Sequence, residues 1–178
     1  MKKILFILVF TVTVQANSLK SFEEACTAHE VESCIHLGVL YQLGQNTQQD
    51  YNKSKMYYSK ACELNHAIGC DNLGSLYYLG QGVEEDYTKA KFYYEKACNL
   101  NHSDGCNNLG DLYYTDSWVE HNSTKARVYY DKSCSLGSKK GCSNLKTLVE
   151  EEKNKDEYKR LKEEQEELML EAELFDKL

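Results

Sequence analysis

The sequence is poor in positive charge, and it contains no proline. Its 178 residues carry 28 acidic and 21 basic side chains, which gives a net charge of −7. Such a chain has no basic surface with which to neutralise a phosphate backbone, so nucleic-acid binding is disfavoured. Attachment to an anionic membrane through a polybasic segment is disfavoured for the same reason. Because 42% of the residues are hydrophobic, the chain can still bury a core and is not expected to be disordered.

Long apolar runs are also missing. The run from Ile4 to Val14 covers eleven residues, follows two lysines and precedes Val14-Gln15-Ala16, which has the small residues of a cleavage site. A membrane-spanning helix needs about twenty apolar residues, which argues against an anchor. We therefore interpret residues 1–16 as a signal peptide. The mature chain would begin near Asn17 without a membrane span and be exported, either to a periplasm or out of the cell.

The cysteines reveal an internal repeat. They form four C-x7-C pairs, and each pair is displaced by 36 residues from the one before: Cys26 and Cys34, Cys62 and Cys70, Cys98 and Cys106, Cys134 and Cys142. Glycine, leucine, alanine and tyrosine positions follow the same shift, for example Gly38, Gly74 and Gly110. Repetition at such a period is typical of solenoid proteins.

Each unit has the pattern of a helical hairpin. Cys70, Leu73, Gly74 and Tyr77 have the i, i+3, i+4, i+7 spacing of one helix face, and a similar pattern from Ala90 to Cys98 predicts a second helix. Gly80 and Gly82 lie between the two and can end the first helix in left-handed geometry. Asp86 is suited to the N-cap of the second. The repeated glycines inside the first helix predict close approach of a neighbouring helix, and the repeated tyrosines are expected in the core.

The period also limits the pairing of the cysteines. A cysteine at the end of one helix is followed one turn later by a cysteine that opens the next helix, so local pairing serves every unit equally. We expect Cys26–Cys34, Cys62–Cys70, Cys98–Cys106 and Cys134–Cys142. A zinc site would need a C-x2-4-C knuckle, which is missing, and there is no redox C-x-x-C motif. No metal and no cofactor are expected.

The second unit resembles the Sel1-like repeat, a relative of the tetratricopeptide repeat. The resemblance is carried by residues 69–83, GCDNLGSLYYLGQGV, and 86–94, DYTKAKFYY, and it extends from about residue 20 to 148. The paired cysteines are similar to those of the secreted cysteine-rich repeat proteins of Helicobacter. In the third unit Asp116 and Trp118 replace Gly80 and Gly82, so that turn should differ. The resemblance implies an all-α solenoid of stacked hairpins that binds a protein or peptide on its concave face.

For some members of the cysteine-rich group the resemblance implies instead penicillin binding and weak beta-lactamase activity. A serine beta-lactamase needs S-x-x-K together with S-D-N and K-T-G elements. Only Ser143 and Lys146 fit the first motif, and the other two are missing. The five histidines show no H-x-H or H-E-x-x-H spacing. The residues thus argue against an enzyme, and the family resemblance alone supports the hydrolase alternative.

Two further sets of residues suggest contacts or modification. Asn72, Asn108 and Asn144 recur on the first helices, where a row of amides could hold an extended peptide, or could bond instead to a neighbouring turn. Asn52 and Asn122 lie in N-x-[ST] sequences with an acidic residue two positions earlier, which resemble the acceptor sites of some bacterial N-glycosylation systems. Capping of the second helices by Asp50 and Asn122 would explain the same residues.

The amino-acid composition of the chain changes after residue 148. Residues 149–178 are rich in Glu, Lys and Leu and predict a long charged helix. A heptad spacing suits weak coiled-coil pairing, but a cap on the end of the solenoid is the favoured role. The heptad positions are Tyr158, Leu161, Gln165, Leu168, Ala172 and Phe175. We expect three segments (1–16, 17–148 and 149–178), a monomer, and a neutral or basic partner.

Overall fold

The protein is an array of antiparallel helices. The computed structural model describes residues 18–115 and 122–175, and within them every regular element is a helix. The predicted signal peptide and the exceptional positions Asp116 and Trp118 lie outside the described residues. The helices are α1 (18–27), α2 (Val31–Leu43), α3 (Tyr51–Glu63), α4 (Ala67–Tyr78), α5 (Tyr87–Asn99), α6 (Ser103–Thr115), α7 (Ser123–Ser135) and α8 (Lys139–Phe175).

The turn chemistry of the hairpins is the one that the sequence predicts. Gly80 and Gly82 have φ angles of 64° and 68°, in the left-handed region that favours glycine. The Asp86 side chain then accepts a hydrogen bond from the backbone N–H of Lys89 at 2.9 Å and caps α5. Asp50 and Asn122 cap α3 and α7 in the same way. These caps fix the residue at which α3, α5 and α7 begin.

Four disulfides clip the junctions between hairpins. Each joins the last turn of one helix to the first turn of the next, and the Cα–Cα distances are 4.4 to 4.8 Å. The four pairs are Cys26–Cys34, Cys62–Cys70, Cys98–Cys106 and Cys134–Cys142. Four junctions require only three complete hairpins, α2–α3, α4–α5 and α6–α7, with α1 and α8 at the ends.

Repeated glycines allow a tyrosine ring to lie against the first helix of each hairpin. A Cβ atom on Gly110 would lie 2.6 Å from ring atoms of Tyr130, and one on Gly74 would lie 2.8 Å from the ring of Tyr94. The equivalent Tyr58 is fully buried, and burial raises its pKa to about 12. The predicted close approach is thus confirmed, and the tyrosines belong to the core.

The first helices form the inner side of the array. Along the described chain, α4 contacts α6 and α6 contacts α8, whereas α3 and α5, or α5 and α7, make no comparable contact. The closer spacing of α4, α6 and α8 means that this part of the array curves toward the first helices. We call the surface of α2, α4, α6 and the first turns of α8 the inner face, and the surface of α3, α5 and α7 the outer face.

Helix α8 closes the array and then leaves it. Its first part packs on α6 and α7, with Leu148 buried, Tyr114 hydrogen-bonded to Glu151, and Arg127 3.5 Å from Glu152. It continues as one helix through the boundary that we expected between residues 148 and 149. From residue 153 to 167 every residue is exposed. None of the helices in the described residues has the length and apolar character needed to cross a membrane.

Candidate functional site

The inner face carries the asparagine row that the sequence predicts. Asn72, Asn108 and Asn144 lie at equivalent positions of α4, α6 and α8, and all three are half-buried. The structure shows that two of the three amides are used inside the protein. Their partners lie on the first helix of the preceding repeat, and not on a neighbouring turn.

Asn108 and Asn144 link successive repeats. The Nδ2 atom of Asn108 donates to Oδ1 of Asp71 at 3.0 Å. The Nδ2 atom of Asn144 donates to Oδ1 of Asn107 at 2.9 Å and to Oδ1 of Asp111 at 3.1 Å. These two amides therefore hold the stack together, and their N–H groups are directed at the protein itself.

Asn72 differs from its two equivalents. Within residues 18–115 and 122–175 its side chain has no hydrogen-bond partner, whereas Asn108 reaches Asp71. The residue in the preceding repeat that corresponds to Asp71 is Ile35, which offers no acceptor. Asn72 thus keeps a free amide on the inner face because of the residue that lies one repeat earlier.

A carboxylate with four donors lies next to this row. Asp111 accepts hydrogen bonds from Asn107 at 2.9 Å, from the Tyr130 hydroxyl at 2.8 Å and from Asn144 at 3.1 Å. The Lys140 Nζ atom donates to the same carboxylate at 3.1 Å. Burial and the Asp111 charge raise the pKa of Tyr130, so this tyrosine stays neutral. The cluster links α6 to α7 and α8, and its donors are already bonded within the protein.

Asp71 and His102 form a second polar link between repeats. Asp71 is 8% exposed, and its Oδ2 atom lies 3.7 Å from Nε2 of His102. The hydrogen bond to Asp71 raises the pKa of His102, and partial burial of the ring opposes that effect. Protonation of His102 would therefore strengthen the contact between α4 and the start of α6.

A row of more exposed side chains runs across the start of the first helices. Glu32, Ile68 and Asp104 occupy equivalent positions of α2, α4 and α6, and all three are exposed. Ile68 is 41% exposed, so an apolar side chain stands between two carboxylates. This row and the free amide of Asn72 are candidate contact positions on the inner face, and Glu32 in the row also lies 3.8 Å from Nε2 of His66. The periodic shift of 36 residues could have identified the row from the sequence.

Ser143 and Lys146, the S-x-x-K candidates, are exposed on the first turns of α8. The Ser143 carbonyl accepts a hydrogen bond from Thr147, as expected within a helix. Neither Ser143 nor Lys146 lines any of the three described cavities.

The two N-x-[ST] asparagines have different environments. Asn52 is exposed in the first turn of α3, but Ser54 two residues later is fully buried. Asn122 uses its Oδ1 atom to accept from the Lys125 N–H at 2.9 Å, so it caps α7. The acidic residue that precedes Asn122, Glu120, lies outside the described residues.

Sequence reasoning missed Asp71 and Asp111, the acceptors of the asparagine row. Their positions offer a signal only after the stacking is known, because Asp71 and its partner Asn108 lie 37 residues apart. Residues that are 37 positions apart, one more than the repeat period, are therefore the ones expected to meet between successive repeats.

Stacked helical hairpins define the protein as a helical repeat scaffold. Comparisons with known proteins identify its family. Residues 31–66, 67–102 and 103–138 match the family model described as Sel1 repeat. The matched residues make up more than half of the sequence, and the chain belongs to the Sel1 repeat family. No curated protein sequence matches it.

Solved structures show the same fold. Cysteine rich protein B of Helicobacter pylori is 36% identical, with a TM-score of 0.59; the match covers 74% of this chain and 95% of that protein. A Sel1 repeat protein from Oxalobacter formigenes is 26% identical, with a TM-score of 0.68, over 74% of this chain and 54% of the other. A protective antigen of uropathogenic Escherichia coli is 27% identical, with a TM-score of 0.70, over 75% of this chain. This chain spans only 29% of the antigen.

Proposed function

We propose that the protein is an exported scaffold that binds a protein or peptide segment on its inner face. Three features support export: the signal-peptide pattern of residues 1–16, the four disulfides, and the likeness to the Helicobacter pylori cysteine rich protein. Disulfides persist in oxidising compartments and are rare in the cytosol. The protein would work in a periplasm or outside the cell.

The observation that carries the binding proposal is the free amide of Asn72. An asparagine side chain can donate to one backbone carbonyl and accept from one backbone N–H, which suits an extended segment. The side-chain N–H groups of Asn108 and Asn144 already donate to Asp71 and Asp111, so these two residues have less capacity to bind a segment. The site that we propose therefore centres on the repeat of α4.

The flanking side chains indicate the chemistry of the partner. Packed helices lie about 10 Å apart, and an extended segment advances about 3.3 Å per residue. Residues i, i+3 and i+6 of the segment would thus meet successive repeats. Glu32, Ile68 and Asp104 then favour a basic residue, an apolar residue and a second basic residue in this order.

Selection from a displayed library of random ten-residue peptides tests the proposal. We expect enrichment of peptides with Lys or Arg three residues on either side of an apolar residue. Asn72→Ala and Ile68→Glu should each weaken binding of a selected peptide about tenfold, as loss of one hydrogen bond or one apolar contact does. Thr88→Ala, an exposed change on α5, is the control. Selected peptides that bind the Asn72→Ala/Ile68→Glu double variant with unchanged affinity would contradict the proposal.

A further inference from the structure

A cavity between α1 and α3 lies apart from the inner face. Its volume is about 690 Å³. Three charged side chains line it, namely Glu23 on α1 and Lys60 and Glu63 on α3. Met56, which is 53% exposed, adds an apolar wall. A concave surface on which a few polar groups converge is the usual form of a small-molecule site.

Two tyrosine hydroxyls hold the Glu23 carboxylate in place. The rings of Tyr41 and Tyr57 stack with their centroids 5.7 Å apart, and both hydroxyls donate to Oε1 of Glu23 at 3.3 Å. Burial and the Glu23 charge raise the pKa of Tyr57 to about 12, so this hydroxyl keeps the proton that it donates. Within the described residues Oε2 of Glu23 accepts no hydrogen bond. One carboxylate oxygen is therefore fixed by the protein, and the other is available to a ligand.

Lys60 differs from its equivalents in the next two repeats. The Nζ atom of Lys96 donates to the carbonyl of Cys62 at 2.7 Å. Lys132 donates in the same way to the carbonyl of Cys98 at 2.8 Å. Lys60 makes no bond of this kind, and in the part of the chain that the structure describes its ammonium has no hydrogen-bond or ion-pair partner. The ammonium of Lys60 is thus available to a ligand at the first junction.

The groove beside α5 is related to this cavity by the repeat, but it has different groups. Its volume is about 350 Å³, and it is lined by Phe92, Glu95, Lys96 and Asn99 among others. Its lysine is bonded to a carbonyl, and Asn99 takes the place of Glu63. The cavity at α1 therefore has twice the volume, a free ammonium and a second carboxylate.

The charges of the cavity predict the chemistry of its ligand. Glu63 is exposed and has no ion-pair partner among residues 18–115 and 122–175. Two carboxylates and one ammonium therefore line the cavity, and a ligand that pairs with all three has one carboxylate and two cationic groups. A basic amino acid has this combination in its α-carboxylate, its α-ammonium and its side chain. The methylene groups of that side chain could lie against Met56.

We propose that this cavity binds a zwitterionic basic amino acid, either free or as the first residue of a dipeptide. The ligand carboxylate would pair with Lys60, and its two cationic groups would pair with Glu23 and Glu63. The proposal is independent of the peptide site on the inner face, because no residue that lines the cavity belongs to α2, α4, α6 or α8.

Calorimetric titration of the disulfide-bonded mature chain with L-arginine tests this proposal. We expect saturable binding of L-arginine. Agmatine lacks the carboxylate and N-acetyl-arginine lacks the α-ammonium, so each should bind at least about tenfold more weakly. Tighter binding of the dipeptide Arg-Ala than of arginine would assign the site to peptides, and the reverse would assign it to free amino acids.

Two results of this titration overturn the proposal. One is the absence of saturable binding of both arginine and Arg-Ala up to about 10 mM. The other is equal binding of agmatine and arginine, because Lys60 would then make no contact with the ligand.

Variants of the lining residues locate the site. Lys60→Gln and Glu63→Gln should each weaken arginine binding at least about tenfold. Lys60→Gln should not weaken the binding of agmatine, which has no carboxylate for Lys60 to contact. Lys96→Gln, the same change one repeat later, is the matched control and should leave arginine binding unchanged. Circular dichroism checks that each variant is folded. Equal effects of Lys60→Gln and Lys96→Gln on arginine binding overturn the proposal.

Discussion

Asn108 on α6 donates its side-chain N–H to the carboxylate of Asp71 on α4 at 3.0 Å, one repeat away. Asp71 is 8% exposed, so loss of this donor leaves a buried carboxylate less well solvated. We expect Asn108→Ala to lower the free energy of unfolding by about 1–3 kcal/mol. Asn72→Ala, at the equivalent position without a partner, should change it by less than about 0.5 kcal/mol. Urea unfolding of the two variants measures the difference, and equal losses would show that the hydrogen bond contributes nothing.

The contact between His102 and Asp71 predicts a pH-dependent stability. The pKa of His102 is raised above its ordinary value of 6.5 in the folded protein by the hydrogen bond to Asp71. The stabilisation is therefore complete below 6.5 and is lost as the pH rises through the higher pKa of the folded state. Urea midpoints measured from acid to mildly alkaline pH should fall across this window. His102→Gln should remove that part of the dependence, and an unchanged slope in this variant would contradict the prediction.

The close contact of Gly110 and Tyr130 predicts an unusual cost for alanine. In an open helix, alanine is more favourable than glycine by about 1 kcal/mol. Here the new Cβ would lie 2.6 Å from a ring that the hydroxyl bond to Asp111 holds in place. We expect Gly110→Ala to destabilise the protein by about 1–3 kcal/mol in urea unfolding.

Releasing the Tyr130 ring provides the control for this substitution. Tyr130→Phe removes the bond to Asp111, so adding Gly110→Ala to it should cost less than the same change in the wild type. Additive costs in the double variant would mean that the ring is not held by Asp111.

The disulfides predict an order of reduction. Cys142 is exposed, whereas the six cysteines of the first three pairs are buried. Exposed disulfides are attacked more readily by a thiol. Mass spectrometry with alkylation during mild dithiothreitol treatment should find Cys134 and Cys142 labelled first. Simultaneous labelling of all eight cysteines would contradict this order of reduction.

Before reduction the mass should be eight hydrogens below that of the reduced chain, since four disulfides are formed.

Loss of a buried pair has a predictable cost. Each disulfide closes a loop of about nine residues, for which chain entropy gives roughly 2.5 kcal/mol. We expect replacement of Cys98 and Cys106 by serine to lower the free energy of unfolding by about this amount. A second variant with Cys134 and Cys142 replaced serves for comparison at an exposed junction.

Much of this architecture is determined by residues that are close together in the sequence, so it can be predicted from the sequence. The 36-residue period, the hairpins, the cap at Asp86 and the left-handed turn at Gly80 depend on residues a few positions apart. The pairing of Cys98 with Cys106 is local in the same sense, because both belong to one short junction. Family membership follows from the same repeated residues.

Which of the repeated side chains are bonded and which are free was decided only by the tertiary structure. Asn72 and Asn108 are identical in type and position, yet one is free and the other is bonded, because the residue stacked beneath each comes from another repeat and is Ile35 in one case and Asp71 in the other. A local pattern fixes each helix, whereas the environment of a side chain depends on the neighbours that packing brings to it.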